Sequence, residues 1–355
     1  MSLEHSENPG RNRGPTPPAP QPEAATAILI VNYRRAADTL ECLNSLTQVN
    51  DPPFQVFLAD NGSGSEEVAT LAEYAAQYPD WLHFIAYSNN TGFTGAHNRL
   101  LADIIQDDQY PYILLLNNDT VVEPDFLARM LVRLDPERRI GMVAARVMRY
   151  ADRTQVDNLG ITFYRCGLAS NRKSADDPLL GPSGNCALYA AEMLRQVHQA
   201  TGEYFDERFF CYAEDTDLAW RAVLLGYRAA YAEDARVYHK GSVASGGPNS
   251  DFVLYHGIRN SLFVLVKNVP ARLLGRNLFW MLVLHAAILL RYTVKGKLRI
   301  VYRLYRDFLR GLPAMRHKRR LIQRQRRILP GEIAAMVSRQ FYERGYVLGA
   351  LRDLF

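Results

Sequence analysis

Four apolar runs in the first third of the chain each stop on a polar cluster, and a helical pattern lies between each pair. Residues 27–31 (AILIV) end on Asn32, Tyr33 and Arg34, and residues 54–59 end on Asp60, Asn61, Gly62 and Ser63. Residues 82–87 end on SNNTG at 88–92, and residues 113–116, inside YILLLNNDTVVEPD, end on Asn117, Asn118 and Asp119. Short apolar runs bounded by turn residues predict strands buried on both faces. Between them, Leu40, Leu43 and Leu46 share one face of a helix over 36–46, and further helices are predicted over 66–78 and 95–105. Strand and helix in alternation imply parallel pairing with right-handed crossovers, hence an α/β fold on a mainly parallel central sheet.

The pattern is looser in the second half. GPSGNCALYA at 181–190 is a Gly-rich turn entering an apolar strand, with a helix from Ala191. Glu214, Asp215, Thr216 and Asp217 open an amphipathic helix closed by Gly226, and a strand-like run from Tyr227 ends on Tyr238 and His239. Residues 252–270 and 271–291 read as apolar helices. The longest apolar run, 278–290, is broken only by His285. Thirteen residues fall short of the roughly 20 that span a bilayer, so a buried or interfacial helix is expected. Residues 1–25, rich in Pro, Gly, Glu and Asn, read as a disordered tail without the apolar core of a signal peptide.

Charge changes this picture most. Residues 291–330 hold fourteen Lys or Arg against the single acid Asp307, a surplus of +13 in a chain of net +5, so the remainder is −8. Tyr302, Leu304, Tyr305 and Phe308 punctuate the basic stretch, a composition that suits an anionic membrane surface, or else a solvated charged face packed on the main domain or in a homo-oligomer. No nucleic-acid-binding motif accompanies the charge, so no nucleic-acid partner is expected. With 355 residues and 48% hydrophobic content the chain can bury a large core. Its four cysteines are widely spaced, which excludes a stapled scaffold or zinc finger and suggests reduced thiols in the cytosol.

Candidate chemistry sits at the strand ends. Asp119 is placed to hold a hard cation against a phosphorylated ligand, or it belongs to a solvated turn before a helix capped near Thr120. At 214–217, capping explains one acid of three. Like charges this close raise one another's pKa, as a general base requires. A lone His such as His239 is more often packed or solvated than a ligand. No G-x-G-x-x-G follows Val31 and no GK[ST] follows any strand, which leaves a nucleotide site built from Asn, Asp, Tyr and Gly.

In order and spacing, VNYRR, ADNGS, SNNTGFTGAHN, LLLNNDT, GNCAL, YAEDTDLAWRAVLLGY and VYHKGS resemble the family 2 glycosyltransferases, especially the bacterial branch that includes rhamnosyl- and galactofuranosyltransferases. The resemblance covers about residues 26–245. It implies a GT-A domain over 26–247, followed by a helical, basic region over 248–355 that associates with membrane or oligomerises.

It further implies an inverting hexosyltransferase that uses Mg²⁺ or Mn²⁺ and a nucleoside-diphosphate sugar, such as one of rhamnose. The acceptor would be a lipid-linked or polysaccharide glycan of the cell envelope, met at the cytoplasmic face of the plasma membrane. By the same resemblance Asp60 recognises the nucleobase, and Asn32, Tyr33 and Arg34 lie on the adjoining loop. Asn61, Asn90, Gly92, Asn98, Asn117 and Asn118 also line the donor site. Asp119 and His239 hold the metal, Asp215 is the base with Glu214 and Asp217 beside it, and Gly184, Asn185 and Trp220 belong to the acceptor side. Two departures stand out: Asn117 occupies the first DXD position, and Ser65 stands where many members have a second acid. They admit an alternative, a catalytically inactive binding or scaffolding relative. A processive synthase is disfavoured, because 323–327 lacks the family's Trp.

Overall fold

The computed structural model describes residues 26–49, 52–107, 109–241, 247 and 250–343. The expected disordered tail (1–25) and the end of the C-terminal region (344–355) lie outside the described residues. The first half runs β1 (Thr26–Asn32), α1 (Ala36–Leu46), β2 (Phe54–Asn61), α2 (Ser65–Ala75), β3 (Leu82–Tyr87), α3 (Gly92–Ile104) and β4 (Tyr112–Leu116). Then come β5 (Thr120–Val122), α4 (Phe126–Leu131), β6 (Ile140–Arg149), β7 (Val156–Asn158), β8 (Ile161–Tyr164), β9 (Ala169–Asn171), β10 (Cys186–Ala190), α5 (Ala191–Thr201), α6 (Glu214–Leu224) and β11 (Arg228–His239). The chain closes with α7 (Asp251–Asn268), α8 (Ala271–Val294), α9 (Leu298–Arg324), α10 (Pro330–Ala335) and β12 (Val337–Ser338).

The main sheet has the order β3-β2-β1-β4-β10-β6-β11-β5, with β7 on β6. Strands β3, β2, β1 and β4 are parallel, as are β6 and β11. Strand β10 runs antiparallel between β4 and β6. Alternate side chains serve opposite core layers: Ala27, Leu29, Ile113 and Leu115 pack in one, Ile28, Ile30, Leu114 and Leu116 in the other. A continuous apolar run is what a strand covered on both faces requires. The helix expected from Thr120 does not form. Three β-branched residues, Thr120, Val121 and Val122, instead extend as an edge strand on β11, and α4 starts at Phe126.

Helices α7 to α9 share the main core through Phe263, Val264, Leu265, Leu273, Met281 and Met315. They are also tied to it by buried charge. Lys267 Nζ, fully buried, lies 2.8 Å from Glu203 Oε1 and 3.0 Å from both Asp206 Oδ2 and Asp217 Oδ2. Lys318 of α9 pairs with Glu203 at 2.6 Å and with Asp206 at 2.8 Å.

Helix α8 is longer than the apolar run counted in the sequence. At 24 residues it rises about 36 Å, and by length and composition it could cross a membrane, with 28% of its apolar window buried. Leu273, Met281, Leu284 and Ile288 face the protein, while Leu278, Phe279, Leu282, Leu289 and Leu290 are exposed.

Candidate active site

The ends of β1, β2 and β4 are sewn together by side chains. Parallel pairing sets Asn32 beside Asp60. Asn32 Nδ2 donates to Asp60 Oδ2 at 2.8 Å, and Asn118 Nδ2 donates to Thr39 Oγ1 at 2.9 Å and to Asn32 Oδ1 at 3.3 Å. Asp60 is fully buried, and its second oxygen accepts from the Ser63 N–H at 2.9 Å. The departure at Ser65 has a visible compensation, because Glu67 receives bonds from Asn32 Nδ2 and the Ala36 N–H. Tyr33 is half-buried, and exposed Arg34 lies over its ring at 5.1 Å.

The neighbouring loop is held in the same way. Asn61 Nδ2 donates to Asn90 Oδ1 at 3.0 Å and to the Gly92 carbonyl at 3.1 Å, while Asn90 Oδ1 also accepts from the Gly92 N–H at 2.8 Å. Gly92 has φ +73, and a Cβ there would fall 2.3 Å from the Phe210 carbonyl oxygen, so this approach needs glycine. Asn98 stands apart from the strand ends. It bonds both the N–H and the carbonyl of Phe205, beside an open cavity of about 400 Å³ whose lining includes Glu203, Asp206 and Lys318.

Asp119 and His239 come together because β5 pairs with β11 in a register that sets Thr120 opposite His239. His239 Nε2 lies 3.3 Å from Asp119 Oδ1, and Nδ1 lies 2.9 Å from Asp157 Oδ2. Burial opposes charge on the imidazole, but the two carboxylates outweigh it and lift its pKa to about 9. Among the described residues no group of three or more His, Cys, Asp or Glu side chains could by itself hold a metal ion. The pair nonetheless fits a divalent cation that takes its remaining ligands from phosphate and water. A carboxylate on the far ring nitrogen, as Asp157 provides, is how metal-bound histidines are oriented. Asn117, at the first DXD position, bonds through its N–H to the Asn185 carbonyl at 2.9 Å.

The three acids of α6 separate into three environments. Asp215 Oδ2 accepts from the Gly184 N–H at 3.1 Å, and Oδ1 accepts from the Thr216 N–H at 2.6 Å. Burial raises the Asp215 pKa against these bonds. Glu214 is buried with Oε2 unpartnered, and burial first, then the Asp215 charge, pushes its pKa to about 8. Asp217 cannot act as a third acid of the site. It is fully buried, bonded to Arg221 Nε at 2.9 Å, Lys267 Nζ at 3.0 Å and Asn268 Nδ2 at 2.8 Å. Burial would raise its pKa, but Lys267 and Arg221 hold it low. Trp220 likewise fails as an acceptor platform, since it is fully buried edge-on to Phe163 at 5.1 Å. Five residues after Asp215, about one and a half turns of helix, its position faces the core.

The Gly184–Asn185 dipeptide joins the two halves of the site. While Gly184 holds Asp215, the Asn185 Nδ2 lies 2.8 Å from His239 Nε2, and Asn185 Oδ1 accepts from Asn158 Nδ2 at 3.2 Å. Asp157 and Asn158 were not anticipated from sequence. Their place depends on β7 folding back onto β6.

Residues 27–197 match the family model described as glycosyl transferase family 2. A curated relative, the N-acetylglucosaminyl-diphospho-decaprenol L-rhamnosyltransferase of Mycobacterium tuberculosis, is 24% identical over 261 residues, which cover 64% of this chain and 80% of the relative. Among solved structures, a mannosyltransferase from Pyrobaculum calidifontis in complex with GDP-Man and Mn²⁺ aligns with a TM-score of 0.52 at 16% identity, covering 84% of this chain and 85% of that one. S. aureus TarS 1–349 in complex with UDP-GlcNAc aligns with a TM-score of 0.53 at 14% identity, covering 84% and 90%. The shared architecture is the GT-A fold.

Proposed function

We propose, from the premise that this chain carries a family 2 glycosyltransferase domain of the rhamnosyltransferase type, that it transfers L-rhamnose from a nucleoside diphosphate to a polyprenyl-diphosphate-linked sugar, with inversion. The observation that carries this reading is the Gly184–Asn185 bridge, which sets Asp215 and the Asp119–His239 pair on either side of one peptide unit. An acceptor hydroxyl oxygen attacks the anomeric carbon as Asp215 takes its proton, and the bond from that carbon to the diphosphate oxygen breaks. Asp119 and His239 would hold Mg²⁺ or Mn²⁺, which neutralises charge on the departing diphosphate when bound. Asn32, Asp60 and Asn118 keep the strand ends rigid beneath the nucleotide, with Tyr33 and Arg34 as its outer contacts.

The curated relative's lipid-linked acceptor motivates the acceptor class, and the exposed apolar face of α8 beside the basic α9 supports a place on the cytoplasmic leaflet. The test is a panel of UDP-, GDP- and dTDP-linked sugars, L-rhamnose included, with a synthetic polyprenyl-diphospho-N-acetylglucosamine and Mn²⁺. A glycosylated lipid of inverted anomeric configuration is expected. Nucleotide binding without turnover on any donor would leave a binding protein instead.

A further inference from the structure

The segment that aims Glu214 and Asp215 is strained. Phe210, Tyr212 and Ala213 have φ of 65°, 69° and 65°, three non-glycine residues in the left-handed region within four positions. Such conformations are sparsely populated for non-glycine residues and persist only where the surroundings impose them. Here one buried amide supplies the central constraint. Asn260 of α7, fully buried, directs Nδ2 at the carbonyls of Phe209, Cys211 and Tyr212 at 2.9, 2.8 and 2.8 Å.

Its orientation is fixed from behind, because Asn260 Oδ1 accepts from Arg259 at Nε (3.0 Å) and Nη2 (2.8 Å). Arg259 also donates to the Arg208 carbonyl at 3.0 Å, and the carbonyl of Phe210 turns the other way to accept from the Thr94 N–H at 3.2 Å. Every carbonyl from 208 to 212 is thus captured, by α7 on one side and by α3 on the other. Helix α6 starts on the last residue of this segment, where the Asp217 N–H donates to the Ala213 carbonyl at 2.9 Å.

We infer that Asn260 is a positioning residue for transfer: by gripping three carbonyls of a left-handed turn it sets the first turn of α6, and with it the distance between Asp215 and Gly184. The inference rests on the reading of Asp215 as base. A displacement near 1 Å at a reacting group costs on the order of 10²-fold in rate. Asp215 and the helix that grips its turn both lie beyond the matched family region, 27–197.

The test uses the full chain in the rhamnosyl-transfer assay above. Asn260→Asp keeps the shape but turns a second oxygen on three carbonyls, and Asn260→Ala removes the amide from all three, leaving the Phe209 carbonyl with Arg259 and the Cys211 N–H. For both, kcat is expected to fall about 10²-fold with donor KM within about threefold, and the acidic limb of the kcat–pH profile to move. Ala213→Gly relieves the strain at its own position, so adding it to Asn260→Ala should recover part of the lost kcat; this pair also serves if the single variant does not fold. A folded Asn260→Ala that loses thermal stability but keeps kcat and pH profile would overturn the inference. If Asp215→Asn keeps full turnover while Asn260→Ala does not, the base assignment fails and the positioning role passes to whichever acid α6 presents.

Discussion

Asp215 and His239 are held by adjacent residues: the Gly184 N–H reaches the carboxylate at 3.1 Å, and the Asn185 side-chain amide lies 2.8 Å from the imidazole. Residues 24 positions apart in the chain therefore share one short clamp, and the two halves of the proposed chemistry cannot shift independently.

Replacing Asp215 by Asn keeps the shape of the side chain and removes its basicity. Turnover is expected to fall about 10²-fold or more while the dissociation constant of the nucleotide sugar stays within about threefold. Steady-state kinetics beside calorimetry on the same preparation separates the two. Near-normal turnover would transfer the role to Glu214.

Asp119→Ala removes one of two proposed metal donors at a half-buried surface position. The fold should survive, and the strengthening of nucleoside-diphosphate binding by Mn²⁺ should disappear. Titration calorimetry with and without the ion checks it, and unchanged metal dependence would rule the ligand assignment out.

Glu214 makes the fold itself sensitive to pH. Its carboxyl ordinarily titrates near 4.5 and is pushed to about 8 in the folded chain, so between these values the folded state keeps a proton that the unfolded state has released. The contribution to stability is greatest below the ordinary value and falls as pH rises toward about 8. Glu214→Gln should therefore melt above the parent protein at about pH 8.5 and lose that advantage toward about pH 5. A difference in Tm that is flat with pH would mean that the carboxylate finds a partner when ionised.

The exposed face of α8 and the surplus charge that follows it should bring the full chain down with anionic liposomes. Each Lys or Arg near an anionic leaflet contributes about 1 kcal/mol, and screening over ~8 Å at physiological ionic strength should weaken binding as salt rises. Phe279→Glu combined with Leu282→Glu should abolish sedimentation at every salt concentration. Equal binding to neutral vesicles would remove the electrostatic part, and no binding to either would favour contact between copies of the chain.

The parallel half of the sheet was legible because each strand is a contiguous apolar run that needs no partner to be recognised. Strands β6 to β9 were not, since Val156–Asn158 is too short to show an apolar run of its own and is a strand only by pairing with β6. The same limit hid Asp157, the neighbour of the proposed metal pair. Among the three acids of α6 the sequence favoured Asp215 only through resemblance. What distinguishes it physically is that Asp217 points at Lys267, a residue fifty positions later whose burial no local pattern announces. Asn260 left no signal of its own, since α7 also carries His256, Arg259, Ser261 and a second amide, Asn268.

The buried charges around Lys267 also bear on how such a protein can be inherited. Cutting the chain after residue 247 would remove Lys267 and Lys318, stranding Asp206, a fully buried carboxylate, and leaving Asp217 with Arg221 alone. Breaking a buried pair costs about 3–5 kcal/mol, a large share of a domain's whole stability. The C-terminal helices are therefore no detachable anchor that recombination could exchange between relatives. An N-terminal half from one lineage would accept a new C-terminal region only if the cations arrived at matching positions on two helices at once.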